Sequence, residues 1–75
     1  MATLSSLKAG TQATVASLSI EGLLRRRILD LGIIPGANIR CIGPAPSGDP
    51  IAYEIRGSVI ALRLEDAGKI TVQLI

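Results

Sequence analysis

Seventy-five residues and 7.8 kDa allow one domain at most, because a single core usually organises about 100 to 200 residues, and a bilobal enzyme is excluded. Hydrophobic residues make up 48% of the chain and mean hydropathy is +0.48, enough apolar material to drive collapse and to exclude intrinsic disorder. Eight Lys and Arg against six Asp and Glu leave a charge of +2, which neither requires nor forbids nucleic acid.

Glycine and proline then punctuate the chain. Lys8-Ala9-Gly10 precedes Thr11 to Leu18, a stretch of Thr, Val and Ala that predicts a first strand, with a bulge near Ser17 where the alternation slips phase. Ser19 to Gly32 has helical period: Leu24, Ile28 and Leu31 form one apolar stripe. Ser19 is the expected N-cap, Glu21 suits the positive end of the helix dipole, and Gly32 suits a left-handed C-terminal position. Pro35-Gly36 stops the helix, and Ala37 to Ile42 alternates as a half-buried second strand with Ile39 and Cys41 inward.

The segment Gly43 to Pro50 is loop by composition. Ile51, Tyr53 and Ile55 face one way on a third strand, and Ser58 to Leu64 is a fourth, with Ile60, Leu62 and Leu64 on one face. Gly57-Ser58 is the expected hairpin turn between them. Glu65 to Gly68 predicts a single helical or 3-10 turn, and Ile70, Val72 and Leu74 mark a fifth strand. Five short strands with one inserted helix in a single domain spanning residues 1–75 predict an all-β, partly open SH3-like barrel, since closure hides strand edges and gives the aliphatic faces one interior. An OB-like barrel is the alternative, although its helix normally follows the third strand rather than the first.

The residues offer little for catalysis. There is no His, so neither a Ser-His-Asp nor a Cys-His arrangement can be drawn, and no enzyme is expected. Glu65-Asp66 are the only adjacent carboxylates and read as solvated charges opening a turn. One Cys, no His and scattered acids make no transition-metal site, and no cofactor is expected either, since both phosphate-loop signatures are absent. Cys41 shares a face with Ile39 and reads as a small buried hydrophobe. Tyr53 is the single aromatic residue, too few for stacking bases or for a proline-binding groove. Nucleic acid is therefore not an expected partner.

Compartment follows from what is missing. The longest uncharged stretch, Ala9 to Ile20, is twelve residues, against about 20 for a spanning helix, so no direct membrane insertion is expected. Met1 to Lys8 lacks a basic cluster followed by an apolar run, and the single cysteine permits no intrachain disulfide, both as for a cytoplasmic chain.

Surface action is what the residues favour. Arg25-Arg26-Arg27 splay about 100° apart on the helix. They read either as a solvated face, with Arg26 paired to Asp30 at i+4, or as a docking patch for acidic groups on a partner, for anionic lipid or for nucleic-acid phosphate. Ile33 and Ile34, between the helix stop and Pro35, either plug the barrel mouth or join the arginines in a contact face. The aliphatic surplus also leaves homo-oligomerisation open.

The run Leu24-Arg25-Arg26-Arg27-Ile28-Leu29-Asp30-Leu31-Gly32-Ile33-Ile34-Pro35-Gly36, with Gly48-Asp49-Pro50-Ile51 and Ala61-Leu62-Arg63 after it, resembles the ferrous iron transport protein A family over essentially the whole chain. The resemblance implies an SH3-like fold and a small cytoplasmic accessory role at the inner membrane. It implies contact with the cytoplasmic, GTP-binding part of the ferrous iron permease, without catalysis. The contact face expected on this chain is Arg25, Arg26, Arg27, Ile33 and Ile34, joined by the Gly43 to Pro50 loop. The alternative is a metal-responsive SH3-like module, binding a transition metal ion and similar to the C-terminal domain of iron-dependent repressors.

Overall fold

Strand alternation and helix stops carry through into the computed structural model, which describes residues 2–75. In chain order the elements are β1 (Ala2–Thr3), a 3-10 turn (Leu4–Ser6), β2 (Gln12–Leu18), α1 (Gly22–Asp30) and β3 (Asn38–Pro44). There follow β4 (Ile51–Ile55), β5 (Ser58–Leu62), the short α2 (Leu64–Ala67) and β6 (Ile70–Leu74). The strands form one antiparallel sheet in the order β1-β6-β2-β3-β4-β5. Because β1 and β5 do not pair, the barrel stays open between them.

The inner face is aliphatic, as the alternation requires. Val15, Ile39, Cys41, Tyr53, Ile55, Ile70 and Val72 are all at or below 1% exposure and form one cluster with Leu4, Ile28 and Ile33. Among the described residues no charged side chain is buried. The expected bulge lies between Val15 and Ser17, where Ala16 is the extra residue. A second bulge, between Cys41 and Gly43, turns Ile42 outward and leaves it 41% exposed. Bulges sharpen local twist and bend, which lets so short a sheet curl over its core.

Four local expectations need correction. The sheet has six strands rather than five, because Ala2 and Thr3 pair with Val72 and Thr71; a strand of two residues has no alternation to detect. The tight turn is Arg56-Gly57, not Gly57-Ser58, since Ile55 and Ser58 are directly paired. Arg56 and Gly57 both have positive φ, 52° and 80°, as a two-residue turn matched to sheet twist demands. The fourth strand stops at Leu62, and Leu64 opens α2 instead of continuing the inward face.

Helix α1 is the fourth correction. It starts at Gly22 with Glu21 in the cap position and no side-chain cap bond. Ser19 lies two residues before the cap position, where its N–H donates to the Lys69 carbonyl at 2.7 Å and keeps it at the end of the sheet. At the other end Leu31 lies past the helix and is 39% exposed, so only Leu24, half-buried, and Ile28, buried, remain of the apolar stripe.

Two hydrogen bonds tie chain segments across the barrel. The buried Tyr53 hydroxyl donates to the Leu4 carbonyl at 3.1 Å, clamping the 3-10 turn onto β4. Asp49 Oδ1 accepts the Leu64 N–H at 2.9 Å, so the loop between β3 and β4 satisfies the first turn of α2. Tyr53→Phe keeps the packed ring but strands a buried carbonyl. It is expected to lower unfolding free energy by about 1–2 kcal/mol, read by urea denaturation.

Candidate functional site

Three consecutive arginines on a helix cannot share one direction, and each has a separate fate. All are exposed. Arg25 folds back over the helix start, its Nη1 donating to the Leu18 carbonyl at 3.2 Å and the Ile20 carbonyl at 3.4 Å. It lines an open depression with Glu21 and Lys69. Arg26 does not pair with Asp30. The ion pair found among the described residues is Arg40 with Glu54 at 3.0 Å, on the outer face of β3 and β4, and an exposed pair of this kind contributes little, about 0–1 kcal/mol. Arg27, in the last turn, where a cation suits the helix dipole, turns toward β5 and α2.

Ile33 and Ile34 separate. Gly32 takes φ +97°, the left-handed stop the sequence leads one to expect, and its N–H bonds the Leu29 carbonyl at 2.9 Å. The reversal sends Ile33 inward: its N–H donates to the Ile28 carbonyl at 3.3 Å and its side chain is fully buried in the core. Ile33 therefore cannot touch a partner and leaves the expected contact set, because the backbone turn that ends the helix points it into the barrel. Ile34 is 37% exposed and stays at the surface. The Gly43 to Pro50 loop has its acidic residue occupied, Asp49 holding Leu64 next to Arg63.

A feature that sequence reasoning missed is a groove between α1 and the end of β5. Leu24, Arg27 and Leu31 form one wall; Ala61 and Arg63 form the other, with Asp66 at its side. The Ala61-Leu62-Arg63 string signals this place only as a family pattern. Periodicity does not pair a helix with a strand more than thirty residues later.

Titratable chemistry is sparse. Burial pushes the Cys41 thiol above its ordinary pKa, which disfavours the thiolate that metal ligation or nucleophilic attack needs. Burial, with the nearby Cys41, does the same to the Tyr53 hydroxyl. Among the described residues no three Cys, Asp or Glu side chains cluster as metal ligands would, and the sequence has no His. The donor set does not fit a closed transition-metal site. No helix among those residues is long and apolar enough to cross a membrane.

Fold and surface together define the class: a small, partly open β-barrel of the SH3-like kind with one ordered helix beside its free edge. The profile of the FeoA domain family matches residues 2–74, and the chain belongs to that family. It is 42% identical over 72 residues to the Fe(2+) transport protein A/Fe(2+) transporter FeoB fusion protein of Porphyromonas gingivalis, an alignment that covers 96% of this chain and spans 8% of the fusion's length. Among solved structures it is similar to FeoA of Chlorobium tepidum, with 41% identity, TM-score 0.92, and coverage of 97% of this chain and 70% of the other. The zinc complex of Stenotrophomonas maltophilia FeoA, described as a prokaryotic SH3 domain protein, gives 28% identity and TM-score 0.85 over 97% of this chain and 91% of that one. The family and the SH3-like fold expected from the residues are thus established, and the family is associated with Fe(2+) transport.

The division of labour between the two isoleucines has a measurable consequence. Ile33→Ala is expected to cost about 2–5 kcal/mol of stability, as for a packed core side chain. Ile34→Ala is expected to change it by less than about 1 kcal/mol, both read by chemical denaturation.

Proposed function

We propose that this chain is an accessory protein of ferrous iron uptake that binds the cytoplasmic, GTP-binding part of a ferrous iron permease and modulates it without catalysis. The observation that carries this reading is the Porphyromonas gingivalis fusion, in which a region 42% identical to this chain is joined covalently to a FeoB transporter. Fusion holds two modules at high effective concentration, and it is useful where they must meet. In this reading the domain works in the cytoplasm and is held at the inner membrane by its partner.

The contact face in this reading is the exposed side of α1. Arg26 and Arg27 are exposed there, and Leu23 is 89% exposed on the same helix, with Ile34 following its end. Exposed aliphatic side chains toward the two ends of the helix, with guanidinium groups between them, suit an acidic, partly apolar surface: the cations steer encounter and the apolar residues supply burial. Arg25 takes a smaller part, since its guanidinium is engaged with carbonyls of its own chain.

The metal-responsive alternative takes second place. The zinc complex of the Stenotrophomonas maltophilia relative favours it, but the sequence has no His and no three Cys, Asp or Glu side chains cluster among the described residues.

Affinity capture tests the proposal. The tagged wild-type chain is expected to recover the permease from gently solubilised membranes of its host. The double reversal Arg26→Glu, Arg27→Glu is expected to weaken capture about tenfold or more, with thermal stability unchanged within about 1 kcal/mol. Capture by the folded double variant at wild-type strength removes α1 as the face, and recovery of no permease removes the partner.

A further inference from the structure

The edge of a sheet offers unpaired backbone groups, and which residues offer them follows from the hairpin. The two-residue turn at Arg56-Gly57 makes its flanking pair, Ile55 with Ser58, a hydrogen-bonded one. Alternation along the ladder then makes Tyr53 with Ile60 and Ile51 with Leu62 the other bonded pairs. Ser58, Ile60 and Leu62 thus spend their backbone groups on β4. Val59 and Ala61 turn N–H and C=O outward, and β5 is the last strand of the sheet. None of the turn and loop hydrogen bonds among the described residues reaches those groups.

Natural edge strands are usually blunted by lysine, proline, a bulge or an inward charge. Ser58–Leu62, sequence Ser-Val-Ile-Ala-Leu, has none of these. Val59 is 66% exposed. Helix α1 runs beside this edge without covering it: Gly32, past its end, lies within 3.4 Å of the Arg56 side chain if a Cβ is built on it, and Leu24 and Arg27 face Arg63 across the groove. The opposite margin of the sheet is different, because β1 already covers β6 at Thr71 and Val72.

We propose that the free edge of β5, with the groove between it and α1, accepts an extended peptide strand of a partner protein in which acidic and aliphatic residues alternate. Strand addition satisfies the outward groups of Val59 and Ala61. Side chains of the added strand alternate between the faces of the sheet. On the inner side they meet Ile60, Leu62 and the apolar wall of α1, which selects aliphatic residues. On the other side they meet Arg63, which selects carboxylates, while Arg27 on the helix wall and Arg56 beside the helix end add positive charge along the groove.

A second copy of this chain fits less well. Pairing two β5 strands antiparallel about Ile60 sets Arg63 opposite Gly57 of the second copy, beside that copy's Arg56, and brings like charges together at both ends. The inference rests on reading this chain as a partner-binding protein, and it holds whichever protein supplies the strand.

The test is an NMR titration of the isotope-labelled chain with an acetylated, amidated hexapeptide alternating Glu with Val and Leu. Saturable shifts centred on the Val59 and Ala61 amides are expected, with slowed hydrogen exchange at both. Arg63→Glu is expected to weaken binding at least about tenfold, as is replacing every Glu of the peptide by Lys. A peptide N-methylated at alternate residues, which cannot pair with the edge, is expected not to bind, and this control leaves the protein unaltered. No binding at about 1 mM peptide, equal binding of the Lys or N-methylated peptide, or shifts that leave Val59 and Ala61 unmoved overturns the proposal. So does concentration-dependent protection of these amides without peptide, which assigns the edge to a second copy. Peptide binding together with failed permease capture retains the edge site and discards the permease.

Discussion

The way α1 ends is the constraint on which the surface depends. A positive φ at Gly32 breaks the helix at a point where a side chain would be strained, and the next residue, Ile33, goes fully into the core. That single buried isoleucine pins the end of the helix to the barrel, while Ile28 pins its middle. With both anchored, α1 lies beside the free edge of β5, with Arg27 lining the groove left between them. A helix continuing past Gly32 would leave Ile33 outside and the barrel mouth unfilled.

Hydrogen bonds at the ends of the barrel complete the arrangement. A core with one aromatic residue gains little from ring packing, so Tyr53 contributes through its hydroxyl as well, holding the Leu4 carbonyl and with it the segment that carries β1. Asp49 acts at a distance in sequence: by accepting the Leu64 N–H it positions the start of α2 and therefore the adjacent Arg63. The loop between β3 and β4 thus shapes the groove without entering it. The Gly48-Asp49-Pro50-Ile51 and Ala61-Leu62-Arg63 strings are thereby joined twice, through the Ile51–Leu62 ladder pair and through the Asp49 bond to Leu64, the residue after Arg63.

Much of this architecture is legible in the residues. Alternation at Ile51, Tyr53 and Ile55 and at Ile39 and Cys41 marks the inner face, the slip near Ser17 marks a bulge, and Gly32 marks the helix stop. What stays hidden depends on tertiary partners. Ser19 is a good cap by type, but it is kept at the sheet end by its bond to Lys69 and the helix begins only at Gly22; Ala2 and Thr3 form a strand only because β6 is there to receive them. At the surface, Ile33 and Ile34 are identical in type and adjacent, and only the turn decides which is buried. The arginine row is visible at once, yet its division into Arg25 bound to carbonyls and Arg27 facing Arg63 is set by a loop and a strand that spacing does not connect.

The central claim is that β5 presents an open, ordered edge beside an anchored helix, and amide hydrogen exchange on the dilute free chain tests it most directly. The account predicts an alternating pattern, with Ile60 and Leu62 strongly protected through β4 while Val59 and Ala61 exchange near the unprotected rate. Equal protection of all four amides in the monomer would show that the edge is covered and would contradict the account.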